Sequence, residues 1–241
     1  VVDIEESLAR RLESLIPLPA LLGRGPRFLV YEWRPGISLE RAIAARADLP
    51  YEKIGRDLAE ARQKLNTVHF PTAGFFASDL SIAHPWPSAI DGLWSYLRTL
   101  FPQANAPAEL IRRMARIADD AEPRLHRAAG PPVLVHGDFK ASNVLVDESG
   151  LTTILDWEFA HSGTWLSDVG QILRHLDQLP PEFVAAFADQ MPFDQETMTL
   201  VRTLDLVNLV DFLRPERDQP KMHADVIRRI TEVCDQYESQ S

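Results

Sequence analysis

An α+β fold is predicted for this 241-residue chain on two observations. Residues 133–156 read as short strands rich in Val, Ile and Leu, separated by Gly, Asp and Ser clusters, whereas most of the remainder repeats apolar residues at helical spacing. A hydrophobic fraction of 45% beside 25% charged residues suits a globular protein with a buried core, in one domain or two unequal lobes. The net charge of −10 speaks against nucleic acid as the main partner, because phosphate binding needs a basic surface, and leaves room for a cationic ligand. The single cysteine, Cys234, excludes an internal disulfide and a cysteine-based metal site. With no bilayer-length apolar run and no signal peptide, the expectation is no membrane association and a cytoplasmic location.

Residues 3–16 place Ile4, Leu8, Leu12 and Leu15 on one helical face, and Pro17 and Pro19 end the helix. Gly23-Arg24-Gly25 reads as a turn, and residues 27–33 as a strand broken by Pro35-Gly36 before a helix that starts near Ser38. Over residues 51–69 the face Ile54, Leu58, Ala61, Leu65 and Val68 predicts a long core-facing helix, with His69 at its end a packed, hydrogen-bonded histidine. Residues 78–88, rich in Pro and Ser, read as a loop. A helix follows at 90–100, whose Trp94, Tyr96 and Leu97 are core or substrate-wall candidates. The helix at 107–129 turns Leu110, Met114, Ile117 and Leu125 inward and leaves mixed charges in solvent. After the strands, Ser167 reads as an N-cap with Asp168 in the first helical turn. Three more helices are expected at 181–190, 194–213 and 220–237.

The chemistry concentrates between residues 133 and 158. Strands at 133–135 and 144–146, a tight turn at 147–150 and a third strand ending at Asp156 put Asp138, Asn143 and Asp156 where a loop leaves or a strand ends. Three oxygen-bearing side chains around one hairpin suit a hard cation that also binds phosphate, since magnesium prefers one or two protein oxygens plus substrate oxygens and water. Asn143 and Asp156 would be its ligands, and Asp138, across the loop, could take a proton from an attacking hydroxyl. Asp and Asn also favour turns for local hydrogen-bonding reasons, so the joint spacing, not any one residue, carries the signal.

That spacing carries a resemblance. His136-Gly137-Asp138-Phe139-Lys140-Ala141-Ser142-Asn143 fits the kinase catalytic loop H-x-D-x-x-x-x-N, and Asp156-Trp157-Glu158 stands where protein kinases have D-F-G. The glycine after the histidine and the D-W-E triplet make the chain most similar to the aminoglycoside phosphotransferase and choline kinase-like family of small-molecule kinases. The resemblance implies a protein kinase-like α+β fold, ATP as phosphoryl donor, Asp138 as catalytic base, and Asn143 and Asp156 as magnesium ligands. Lys140 matches a lysine that approaches the transferred phosphoryl group, although an exposed loop lysine would read the same. His136 would brace the loop, and Asp168 would hold its backbone. Glu158 replaces the glycine of D-F-G, and Trp165 stands where relatives commonly have proline. His161 is an exposed-loop candidate for substrate contact.

By the same resemblance the first helix is the small-lobe helix whose glutamate, Glu5 with Glu6 close behind, pairs with a strand lysine that grips ATP. Backbone groups of Glu32, Trp33 and Arg34 would form the hinge that hydrogen-bonds adenine. Residues 1–34 would then be a partial small lobe, and residues 35–241 a helical large lobe with the catalytic hairpin and acceptor-binding helices. None of the four lysines precedes the first helix and the chain opens with Val, so the expectation is a processed or truncated protein whose glycine-rich strands lie outside this sequence. Two readings follow: an ATP-dependent kinase acting on a small-molecule hydroxyl, or a truncated or degenerate kinase-like protein that binds a ligand or partner without catalysis. The acceptor stays open among aminoglycosides, choline-like alcohols, sugars and homoserine, with Asp205, Asp211 and Asp235 able to face a cationic one.

Overall fold

The computed structural model describes residues 2–191, 194–217 and 220–240. The first helix, α1 (Val2–Leu12), buries Leu8 and Leu12 with Ile4 half-buried against the core; it ends short of the expected Ile16, and Leu15, in the turn that follows, is half-buried too. A hairpin follows, β1 (Leu21–Gly25) and β2 (Phe28–Tyr31), paired antiparallel. Gly23-Arg24-Gly25 is therefore part of a strand, and the turn falls at Pro26-Arg27. The segment was misread because glycine signals turns locally, whereas strand formation here depends on the partner β2. The short β3 (Ile37–Ser38) leads into α2 (Leu39–Ala44), with Ser38 capping it by accepting from the Arg41 N–H.

The long helix α3 (Tyr51–Asn66) buries Ile54, Leu58, Ala61 and Leu65 as expected. His69 is a correction: its side chain is exposed, and only its backbone bridges to Val133. The segment expected as a loop holds β5 (Ile82–Pro85), paired with β4 (Gly74–Phe76), so its Pro and Ser content misled. Helices α4 (Ala89–Leu100) and α5 (Ala108–Ala128) turn Trp94, Leu97, Met114, Ile117 and Leu125 into the core, while Tyr96 points outward and donates to Asp211.

Strands β6 (Val133–Val135), β7 (Val144–Asp147), β8 (Gly150–Ile154) and β9 (His161–Gly163) follow. They make two antiparallel sheets, ordered β3-β7-β8 and β5-β4-β9-β6. The strand expected to end at Asp156 stops at Ile154, because Asp156 has φ 67, a left-handed conformation that leaves the ladder. His161, expected in an exposed loop, is buried in β9 between Phe75 and Trp86. Helix α6 (Trp165–Ile172) is capped by Thr164, which accepts from Leu166 N–H, rather than by Ser167. The helix expected at 194–213 divides at Asp205 into α8 (Gln195–Leu204) and α9 (Leu206–Asp211), with α7 (Pro181–Gln190) before them and α10 (Pro220–Glu238) after. No helix among the described residues is long and apolar enough to cross a membrane.

One apolar core runs through the molecule and underlies residues 133–158: Val144, Val146, Ile154 and Phe139 are fully buried within it. Burial of these side chains pins the register of the β7–β8 hairpin, since a one-residue slip would turn them to solvent. The hairpin is tied to the first segment as well, with Ile154 N–H and Thr153 Oγ1 both donating to the Pro17 carbonyl.

Candidate active site

The loop between β6 and β7 is built by backbone hydrogen bonds to buried side chains. Asp168, fully buried in α6, accepts from His136 N–H at 3.0 Å through Oδ2 and from Gly137 N–H at 3.1 Å through Oδ1. Its charge is matched by Arg62 of α3, fully buried, whose Nη1 lies 2.6 Å from Asp168 Oδ2. The other guanidinium branch, Nη2, donates to the Leu134 carbonyl and to Asn66 Oδ1. Burial pulls the Arg62 guanidinium down, and the Asp168 carboxylate offsets that effect.

Gln171, one helical turn beyond Asp168, holds the same loop a residue further on. Its Oε1 accepts from Phe139 N–H at 2.5 Å and its Nε2 donates to the Gly137 carbonyl at 2.8 Å. One side-chain amide thus fixes the peptide groups on both sides of Asp138. His136 completes the brace: Nδ1 accepts from Asp138 N–H at 3.2 Å, so Nε2 carries the proton and donates to the Leu155 carbonyl at 2.9 Å. Burial holds the imidazole pKa below its usual value, which keeps the ring in this neutral tautomer.

The Asp138 carboxylate is fixed through one oxygen. Oδ2 accepts from Lys140 Nζ at 2.7 Å and from Asn143 Nδ2 at 2.9 Å, and the same amide nitrogen reaches the Asp138 carbonyl at 2.9 Å. Oδ1 has no such partner among the described residues. With its NH2 group spent on two acceptors, Asn143 presents Oδ1, against which only the Ser142 hydroxyl lies, at 3.5 Å. Leu155 N–H donates to the Asn143 carbonyl, so Asn143 and Asp156 leave the β7–β8 hairpin from adjoining positions. The Asp156 side chain is exposed and makes no hydrogen bond or ion pair among the described residues. An amide oxygen and a free carboxylate are the donor types a hard cation takes, so these residues fit magnesium.

Glu5 and Asp156 line one small cavity of about 90 Å³ with Tyr31, Pro19 and Trp157. Burial, then the charges of Glu158 and Asp156, raise the Glu5 pKa above the usual glutamate value. Glu6 is committed elsewhere, to Arg10 and to Arg24 of β1. Glu32, Trp33 and Arg34 do not line this cavity. The Glu32 N–H is taken by the Ala20 carbonyl, Trp33 is 86% exposed, and Arg34 sits 3.4 Å from the Glu32 carboxylate.

The structure thus joins Asp138, Lys140 and Asn143 by direct contacts and gathers Glu5 with Asp156, while the hinge triplet lies beside the second group, Arg34 Nη2 donating at 3.4 Å to the carbonyl of Leu18 in the cavity wall. Sequence reasoning missed Arg62, Gln171 and Tyr31. A signal existed for Arg62, a charge set among Leu58, Ala61 and Leu65 on the buried stripe of α3. None existed for Gln171, whose loop partners are recognisable only once the chain has folded.

A family model described as the phosphotransferase enzyme family matches residues 3–199. No curated protein matches the chain by sequence. Among solved structures, a thermostable mutant of aminoglycoside phosphotransferase APH(4)-Ia, in ternary complex with AMP-PNP and hygromycin B, is similar with a TM-score of 0.71 and 16% identity, covering 95% of this chain and 82% of that one. An ethanolamine kinase from Plasmodium vivax has a TM-score of 0.65 at 13% identity, covering 100% of this chain and 74% of that one. APH(2″)-IIa in its gentamicin complex has a TM-score of 0.65 at 17% identity, with 98% and 82% covered. Identities this low speak for the fold alone, the protein kinase-like α+β fold expected from the two motifs.

Proposed function

The chain belongs to the phosphotransferase enzyme family, and from that premise we propose that it transfers the γ-phosphoryl group of ATP to a hydroxyl of a small molecule, with Asp138 as the base. The observation that carries this reading is the anchoring of Asp138: Lys140 and Asn143 hold one carboxylate oxygen, and the other is left to accept a proton. In the proposed step the acceptor hydroxyl gives its proton to Asp138 Oδ1 while its oxygen forms a bond to the γ-phosphorus. The bond from that phosphorus to the β,γ-bridging oxygen breaks, and ADP leaves with the electron pair. Catalysis of this kind is mostly positioning and charge neutralisation.

Asn143 and Asp156 would hold magnesium, which supplies charge neutralisation on the phosphate oxygens. Lys140, already beside Asp138, would offset charge on the equatorial oxygens. Glu5, in one cavity with Asp156, is suited to organise the nucleotide end, and the Trp33 and Arg34 backbone is proposed as the hinge. ATP as donor is supported by the AMP-PNP bound in the similar aminoglycoside phosphotransferase structure.

Asp138→Ala tests the assignment. Turnover is expected to fall by roughly 10²–10⁴, the usual contribution of a general base, while Mg-ATP still raises the melting temperature as in the parent. Loss of nucleotide binding in step with turnover would give Asp138 a different job. Mg-ATP binding without turnover by the parent chain would favour the binding-only alternative.

A further inference from the structure

Helices α4 and α5 are locked together by Trp94, fully buried, which donates its indole N–H to the Ala118 carbonyl at 2.9 Å. One turn from this contact towards the end of α5 stands Glu122, followed on the same face by His126, and one turn towards the start of α4 stands Asp91. Ligand atoms of these three side chains all lie within 4.8 Å of one another, the one such group of three or more His, Cys, Asp or Glu among the described residues. None of the three lines the cavity that holds Glu5 and Asp156. We propose that Asp91, Glu122 and His126 hold a zinc ion, with water as its fourth ligand, which pins the start of α4 to the end of α5.

The spacing is that of a shared ion. His126 Nε2 lies 3.2 Å from Asp91 Oδ1, and two ligands of a tetrahedral zinc ion stand roughly 3.3 Å apart. On the other side of the ring, Nδ1 faces the Ser88 hydroxyl at 3.5 Å, and that hydroxyl caps α4 by accepting from the Asp91 N–H at 3.1 Å. A ring whose Nδ1–H donates to Ser88 turns its Nε2 lone pair on the Asp91 carboxylate, an approach that needs a proton or a metal ion between the two. Ligating histidines are oriented in this way, by a hydrogen bond from the ring nitrogen that does not bind the metal. Glu122 is set by Arg98, whose Nη2 lies 2.8 Å from Oε2, while Oε1 has only a 3.4 Å contact to Nη1.

Charge favours the ion over the proton. Arg98 is shared by Glu122 and Asp119, so with Asp91 three carboxylates stand against one guanidinium. A proton on His126 would cancel one of the two remaining negative charges, whereas a divalent ion cancels both. The donors choose the ion: one imidazole nitrogen beside two carboxylates suits zinc, while magnesium takes oxygen ligands and keeps its water. The His126 and Asp91 side chains are 38% and 34% exposed, so an ion reaches them from solvent without any opening of the core. Helix α5 ends at Ala128 and feeds β6, whose far end begins the loop that carries Asp138. A metal pin in its last turns therefore stiffens the support of that strand.

The test uses the full chain without an affinity tag, stripped by chelator and kept in excess Mg2+ so that Asn143 and Asp156 are not left to bind zinc. One zinc ion per chain is expected, raising the melting temperature by roughly 5–10 °C at a hundredfold excess over its dissociation constant. Cobalt(II) in its place should show the visible absorption of a tetrahedral ion. His126→Ala and Asp91→Asn should each weaken zinc binding at least tenfold and abolish the cobalt absorption. His69→Ala, which removes an exposed histidine elsewhere, should leave both as in the parent. Where His126→Ala does not fold, Glu122→Gln carries the same readout beside Asp91→Asn. No stabilisation by zinc, an affinity unchanged in either ligand variant, or an equal loss in His69→Ala would overturn the proposal, the first of these leaving His126 and Asp91 a proton-bridged pair.

Discussion

The aspartate proposed as base depends on the backbone that carries it, and Gln171 holds the peptide groups on both sides of Asp138. Its amide satisfies the Gly137 carbonyl and the Phe139 N–H together, so the Asp138 carbonyl and carboxylate are displayed from a fixed segment. Gln171→Leu keeps the volume and removes both bonds, leaving two nearly buried peptide groups unpaired at about 1–3 kcal/mol each. The expected outcome is a folded protein with a melting temperature several degrees lower, a kcat down at least tenfold and a KM for Mg-ATP within twofold of the parent. Equal kcat would show that Asp168 and His136 suffice to set the loop. Asp138, Asn143 and Asp156 could be named as candidates because their order along one short stretch is itself the signal. Gln171 and Arg62 were not: their partners lie 32–34 and up to 106 positions away, and a single sequence carries no trace of such contacts.

Among elements, the β6–β7 loop and the hairpin it feeds were readable from their Val and Ile runs and the Gly150 turn, whereas β3, β5 and β9 were not. Those strands have two to four residues each and exist through a partner: β3 on β7, β5 on β4, β9 on β4 and β6. The break at Asp205 was equally hidden, because Asp205 lies 2% exposed and is held by Arg174 rather than by any local stop signal. The loop also has a glycine that its path requires. Gly137 has φ +81, and a Cβ there would run into the Phe159 carbonyl. Gly137→Ala should cost about 1–3 kcal/mol of strain and displace the backbone beside Asp138. Chemical denaturation should show that loss of stability, and turnover should fall further than the fraction unfolded explains. An unchanged denaturation midpoint would mean that the loop relaxes freely, contrary to the four side-chain hydrogen bonds that Asp168 and Gln171 make to its backbone.

For the molecule as a whole, the histidines buried in the core decide how stability responds to pH near neutrality. His136 and His161 are both held below the usual histidine pKa, by burial first. In the unfolded chain each takes up a proton near pH 6.5, and in the folded protein each does so only at lower pH. The unfolded state therefore binds more protons below about 6.5, and stability must fall as the pH drops, by up to about 1.4 kcal/mol per pH unit for each histidine until its folded pKa is reached. Glu5 works in the opposite direction, since its raised pKa makes the folded state the better proton acceptor just above pH 4.5. His175, also lowered by burial first, adds to the same trend, and one acid set against three histidines only softens the slope. Melting temperature should thus change little from pH 7.5 to about 6.5 and decline from there to pH 5.5. His161→Phe can keep the ring contacts with Phe75 and Trp86 while removing one titrating group and the Nδ1 bond to the Phe159 carbonyl. It should lower the melting temperature at pH 7.5 and flatten the decline below pH 6.5. A variant whose slope equals the parent's would show that His161 protonates in the folded state as readily as in water, which its burial against two aromatic rings opposes.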